Sequence, residues 1–105
     1  MENQISNIKK NIKKETVTCI TLKSLFKKHN IVDLGILQID TEGFDYQIIK
    51  MIDFSQLRPD VIIYEYLHLT HYQYYASVEF LINNGYILNK NNTSFDVIAL
   101  NKDLF

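Results

Sequence analysis

The sequence predicts an α/β fold: a mostly parallel sheet that ends in an antiparallel hairpin. Three observations predict it. Gly35-Ile36-Leu37-Gln38-Ile39 and Val61-Ile62-Ile63-Tyr64 are short apolar runs rich in β-branched residues, the pattern of buried parallel strands. Segments with helical spacing stand between the strand-like runs. Two further strand-like runs close the chain, separated only by a turn-forming cluster. Strands that alternate with helices imply right-handed parallel crossovers.

In chain order, residues 1–15 are a polar segment in which Ile5, Ile8 and Ile12 draw a thin apolar stripe on a possible helix. Thr16 to Ile20 alternates β-branched residues around Cys19 and reads as a short strand. Cys19 there is expected to be a small buried hydrophobe. Thr21 can cap the next helix, whose face carries Leu22, Leu25, Phe26 and His29. His29 ends that helix beside Lys27 and Lys28, where positive charge complements the helix dipole. The Gly35 strand follows, then the acidic turn Asp40-Thr41-Glu42-Gly43, then a helix with Phe44, Ile48, Met51 and Ile52 on one face.

Asp53 to Asp60 is a connector closed by Pro59. The strand from Val61 to Tyr66 has a continuous apolar run, which predicts a sheet covered on both faces. Tyr74, Tyr75, Val78, Leu81 and Ile82 form the face of the next helix, which stops at Asn83-Asn84-Gly85. Tyr86 to Leu88 is a strand, Lys90 to Ser94 a turn, and Phe95 to Leu100 the last strand. Residues 16–105 thus read as one domain; the chain's 105 residues, 47% hydrophobic, suffice for one core and not for two.

The formal charge of −1 gives no general attraction to nucleic acid or to a membrane surface. Lys9, Lys10, Lys13 and Lys14 are read as a solvated face. A single cysteine excludes an internal disulfide, no apolar run reaches the length of a membrane span, and no apolar segment follows the N-terminal lysines. A soluble cytoplasmic protein is expected.

Open α/β sheets bind ligands at the carboxyl ends of their strands. Asp40, Glu42 and Glu65 stand there on what should be neighbouring strands. Such carboxylates can accept a proton from a hydroxyl, bind sugar or amine groups, or hold a hard cation. They can equally cap the turns and helices that follow. His68 and His71 lie beyond Glu65 at helical spacing, but nothing else completes a zinc set, so no metal is assigned. Tyr66, His68 and Tyr72 are candidates to line a substrate pocket, or are plain surface residues. The three glycines, Gly35, Gly43 and Gly85, stand far apart, so no glycine-rich phosphate or dinucleotide loop exists here.

Thr21-Leu22 with Ser24-Leu25, the run Leu37-Gln38-Ile39-Asp40-Thr41-Glu42-Gly43-Phe44-Asp45, and Val61-Ile62-Ile63-Tyr64-Glu65 together resemble the C-terminal part of the FkbM family of methyltransferases. That family has a strand ending in Ile-Asp-x-Glu-Gly, an acidic residue two positions after the glycine, and a downstream strand ending in Glu. Here these positions are Asp40, Glu42, Gly43, Asp45 and Glu65. Phe44, Asp45 and Lys23 stand where the family commonly has a small residue, Glu and Asp.

The resemblance implies the C-terminal half of a Rossmann-like, S-adenosylmethionine-dependent fold and methyl transfer to a hydroxyl of a sugar, lipid or natural product. It places Asp40 near donor and acceptor, with Glu42 and Glu65 orienting the acceptor or the nearby loops. Gly43, Tyr66, His68 and Tyr72 are then substrate-binding candidates, and Asp40 or His68 the base.

The family's strand order is three-two-one-four-five-seven-six. The Leu37 strand would be the fourth, and its partner, the first, has no counterpart in this sequence. An open edge there is expected. The donor-binding glycine loop is also missing. The expectations that follow are a fragment or degenerate copy that needs its other half, or a non-catalytic interaction module that pairs through the open edge, including as a homodimer.

Overall fold

The computed structural model describes residues 11–105. The expected stripe through Ile5 and Ile8, and Lys9 and Lys10, lie outside the described residues; Ile12, Lys13 and Lys14 are exposed. The elements are α1 (Leu22–Lys28), β1 (Ile36–Ile39), α2 (Asp45–Ile49), β2 (Val61–Glu65), α3 (His71–Asn83), β3 (Tyr86–Asn91) and β4 (Asp96–Asn101).

The sheet order is β1-β2-β4-β3, the order expected for strands four, five, seven and six. The expectation of a mostly parallel sheet is corrected: only β1 and β2 pair parallel, and the other two ladders are antiparallel. A crossover of helical length joins β1 to β2. The return from β3 to β4 is a hairpin, which forces antiparallel pairing, and β4 then inserts beside β2 and adds a second antiparallel ladder. Among the described residues β1 has β2 as its sole neighbour, so its outer edge is open.

Thr16 to Ile20 is not a strand. The segment has no regular structure and is exposed, because no ladder reaches it to satisfy its backbone groups, and Cys19 is therefore exposed rather than buried. Thr21 does cap α1, its hydroxyl accepting from the Ser24 N–H at 3.1 Å. The hairpin turn starts two residues later than expected and spans residues 92–95, because β3 continues through Asn91.

Alternation along the strands sorts the sheet into two unlike faces. Ile39, Ile62, Tyr64, Tyr86, Val97 and Ala99 are buried on one face beneath Ile49, Ile52 and Leu81. On the other face Val61, Ile63, Ile98 and Leu100 are half-buried and Ile36 and Ile87 exposed. A sheet covered on both faces was expected from the run at β2. Among the described residues the helical cover lies on one face only.

The helices also turn their apolar residues differently from the expected stripes. In α2 and the turn after it Asp45, Ile49 and Ile52 are buried, while Phe44 and Met51 are exposed. In α3 Ser77 and Leu81 are buried, while Tyr75 and Ile82 are exposed. Ser77 sits at the close contact because its hydroxyl meets the Tyr64 hydroxyl at 2.8 Å and donates to the Tyr74 carbonyl at 2.6 Å. That burial pushes the Tyr64 hydroxyl up to about 12. Thr70 and Gln73 form a capping box that starts α3. Gly85, at φ +88°, ends its C-terminal turn and leaves room for the Arg58 guanidinium.

Candidate functional site

The carboxyl ends of β1 and β2 lie side by side, with Ile39 opposite Tyr64 in the parallel register. Parallel pairing brings the residues that follow each strand to the same edge. Asp40, Thr41, Glu42 and Gly43 leave β1; Glu65, Tyr66 and His68 leave β2.

The turn after β1 is tight and left-handed. Glu42 has φ +54° and Gly43 φ +117°, the latter a region in which L side chains are strained. A Cβ at Gly43 would sit 3.5 Å from the His68 Cβ. That is ordinary van der Waals contact, so the positive φ and not a shortage of space calls for glycine here.

His68 Nε2 lies 2.8 Å from Glu42 Oε2 and 3.6 Å from Glu65 Oε1. Three of the expected site residues thus meet. Asp40 follows β1 beside them, near enough for its charge to act on Glu65. The Glu65 carboxyl is held above the usual carboxylate range, first by burial and then by the negative charges of Glu42 and Asp40, with His68 partly offsetting them. Glu42, Glu65 and His68 also place donor atoms within 4.8 Å of one another, a set that could hold a divalent cation.

The remaining expected residues are set apart from this group. Tyr66 lies against Tyr74 and Phe95, and its hydroxyl donates to the Asn91 carbonyl at 3.2 Å. Lys90 Nζ stacks over both Tyr66 and Tyr74. Tyr72 projects into solvent from the first turn of α3, and His71 opens that helix exposed, outside the cluster.

A residue that sequence reasoning did not place at the site is buried beneath it. Asp45 is wholly buried. One carboxylate oxygen accepts from the Thr41 N–H at 3.0 Å and from the Thr41 hydroxyl; the other accepts from the Glu65 N–H at 3.1 Å. An acidic residue at an otherwise apolar helical position, four before Ile49 and seven before Ile52, was the signal available in the sequence.

Among the described residues no glycine-rich turn leads from a strand into a helix: Gly43 alone stands in such a connection, with His68 beside it. A cavity of about 270 Å³ lies elsewhere, between α1 and the Met51–Leu57 segment, lined by Leu22, Phe26, Ile31 and Leu57 with Lys23 and Lys27 among the polar residues. No helix of the described residues is long and apolar enough to cross a membrane.

No curated protein and no solved structure matches the chain. The family model of the methyltransferase FkbM domain does, over residues 2–88. That span contains the acidic turn, the buried Asp45 and the end of β2, so the cluster lies inside the matched region. With most of its length matched in this way, the chain belongs to the FkbM methyltransferase domain family.

Proposed function

We propose that this chain supplies the acceptor side of an S-adenosylmethionine-dependent O-methyltransferase acting on a hydroxyl of a sugar, lipid or natural product. The observation that carries the reading is the meeting of Asp40, Glu42, Glu65 and His68 at the adjoining carboxyl ends of β1 and β2, inside the family match. The donor, when bound, supplies an electrophilic methyl group; the described residues carry no glycine-rich turn for its nucleoside, so the other half of a Rossmann-like sheet would hold it. What this chain contributes is orientation and a proton acceptor. Positioning carries most of the catalysis in a displacement of this kind.

His68 Nε2 faces Glu42 and so carries a proton toward that carboxylate. This leaves the Asp40–Glu65 pair to take the acceptor hydroxyl's proton. A carboxyl raised by burial and like charge is better matched to that task than a free one. Glu42 and His68 then orient the acceptor by hydrogen bonds.

The test is calorimetric titration of the purified chain with S-adenosylmethionine, followed by transfer of labelled methyl to a panel of hydroxyl acceptors, with and without a donor-binding half supplied in trans. Transfer only with the added half, lost in Asp40→Asn and Glu65→Gln, supports the reading. Micromolar binding of the donor by the chain alone would overturn the assignment of the donor site to another half.

A second reading rests on the open edge of β1, where Ile36 and Gln38 are exposed and no charged or proline residue blunts the strand. On that reading the chain is a non-catalytic module that pairs through β1. A stable dimer in solution, dispersed by Gln38→Pro, would favour it.

A further inference from the structure

We propose that Asp45 is the positioning residue of the carboxyl-edge cluster, a buried clamp whose two oxygens tie the turn after β1 to the end of β2 and thereby set the spacing of Glu42, His68 and Glu65. Its place in a methyl-acceptor site rests on the function proposed above; the clamp itself does not.

Four observations carry the inference. Asp45 is completely buried, so its carboxylate is there at a desolvation cost that something must offset. Both oxygens are used, and the partners lie on two different strand ends: Thr41 N–H and hydroxyl on one side, Glu65 N–H on the other. Neither oxygen serves the helix that Asp45 begins. The start of α2 has no side-chain cap, so the carboxylate is not an ordinary helix-start residue. Finally, the groups it holds are the flanks of the cluster: Thr41 lies between Asp40 and Glu42, and the Glu65 N–H belongs to the residue whose side chain faces Asp40, Glu42 and His68.

The geometry requires an acceptor at every contact. Three donors converge on two oxygens, and bonds to a charged acceptor are stronger than those between neutral groups. An asparagine would fill the same space. Its –NH₂, however, must face either the Thr41 donors or the Glu65 N–H, so at least one strand end is released. No lysine or arginine forms an ion pair with Asp45 among the described residues, so the clamp works through hydrogen bonds.

The experiment compares the full chain with Asp45→Asn and Thr41→Val by NMR, with no donor or acceptor present. It therefore succeeds or fails independently of methyl transfer. In the parent chain the Thr41 and Glu65 amides are expected downfield and slow to exchange, with His68 ring protons close to the Glu42 side chain. In Asp45→Asn the contacts among Ile62, Val97 and Ala99 should persist. Amide exchange at Thr41 or Glu65 should rise about tenfold or more, and the His68–Glu42 proximity should be lost.

Thr41→Val removes only the hydroxyl bond, and should weaken the same signals less while keeping the fold. It decides the matter if Asp45→Asn does not fold. Retention of the His68–Glu42 proximity in a folded Asp45→Asn, or an unaltered cluster in Thr41→Val where Asp45→Asn is unfolded, would overturn the positioning role and leave Asp45 as a structural residue only.

Discussion

The two faces of the sheet are built from the same strands, yet they differ in every property that packing controls. On the covered face Ile62, Tyr64, Val97 and Ala99 are buried against α2 and α3. On the other face their immediate neighbours Ile63, Ile98 and Leu100, no less apolar, stay half-buried. The polar groups of the covered face are bonded: the Tyr64 hydroxyl meets that of Ser77, and the Tyr86 hydroxyl donates to the Pro59 carbonyl. The second face ends at Glu65, whose carboxylate joins the cluster at the edge. Alternation decides which residues share a face, whereas burial depends on what the rest of the molecule lays over it.

The largest expected effect tests that difference directly. Ile62→Ala should cost about 3 kcal/mol of unfolding free energy, because a fully buried site loses contacts and leaves a cavity. Ile63→Ala, one residue away, should cost about 1 kcal/mol, since its site is only partly buried and less transfer and packing is lost. Denaturant midpoints of the two variants measure the contrast; equal losses would mean that the second face is covered in solution.

Next is Gly43→Ala, which forces a side chain into φ +117° and toward the His68 Cβ. A loss of about 2 kcal/mol is expected, read in the same denaturant series. Tyr64→Phe is smaller. It removes one bond from the covered face while Ser77 keeps the Tyr74 carbonyl, so about 1 kcal/mol should go.

The finest test is pH dependence at Glu65. A carboxyl whose folded value is raised binds more protons in the folded state than in the unfolded one, between its ordinary value and the raised one. Stability therefore falls as pH climbs through that window, and the penalty remains in full above it. Glu65→Gln should raise the melting temperature at neutral pH and leave it unchanged at a pH below the ordinary carboxylate range. An equal gain at both would place the effect in packing instead of charge.

Much of the site was legible because it is local. Asp40, Glu42 and Gly43 follow an apolar strand, Glu65 ends another, and parallel pairing then puts them at one edge. His68 was legible only as a candidate, because its meeting with Glu42 and Glu65 depends on the turn after β2 folding back over Gly43. Tyr66 read as a pocket residue, yet it packs with Tyr74 and Phe95 because alternation turns it to the opposite face from Glu65. Asp45 stood out only as the acidic residue two positions after Gly43; its burial was hidden because the apolar stripe was drawn one position away, through Phe44 and Ile48.

The sequence alone determined the strands of the sheet and the acidic carboxyl edge. These follow from short-range patterns: apolar runs, caps, the glycine turn and the hairpin. Tertiary structure decided the rest. It left Thr16–Ile20 without a strand partner, set β4 antiparallel beside β2, covered one face and not the other, and buried Asp45 between two strand ends. Each of these depends on which distant groups meet, and a buried carboxylate is tolerable only where the fold brings three donors to it.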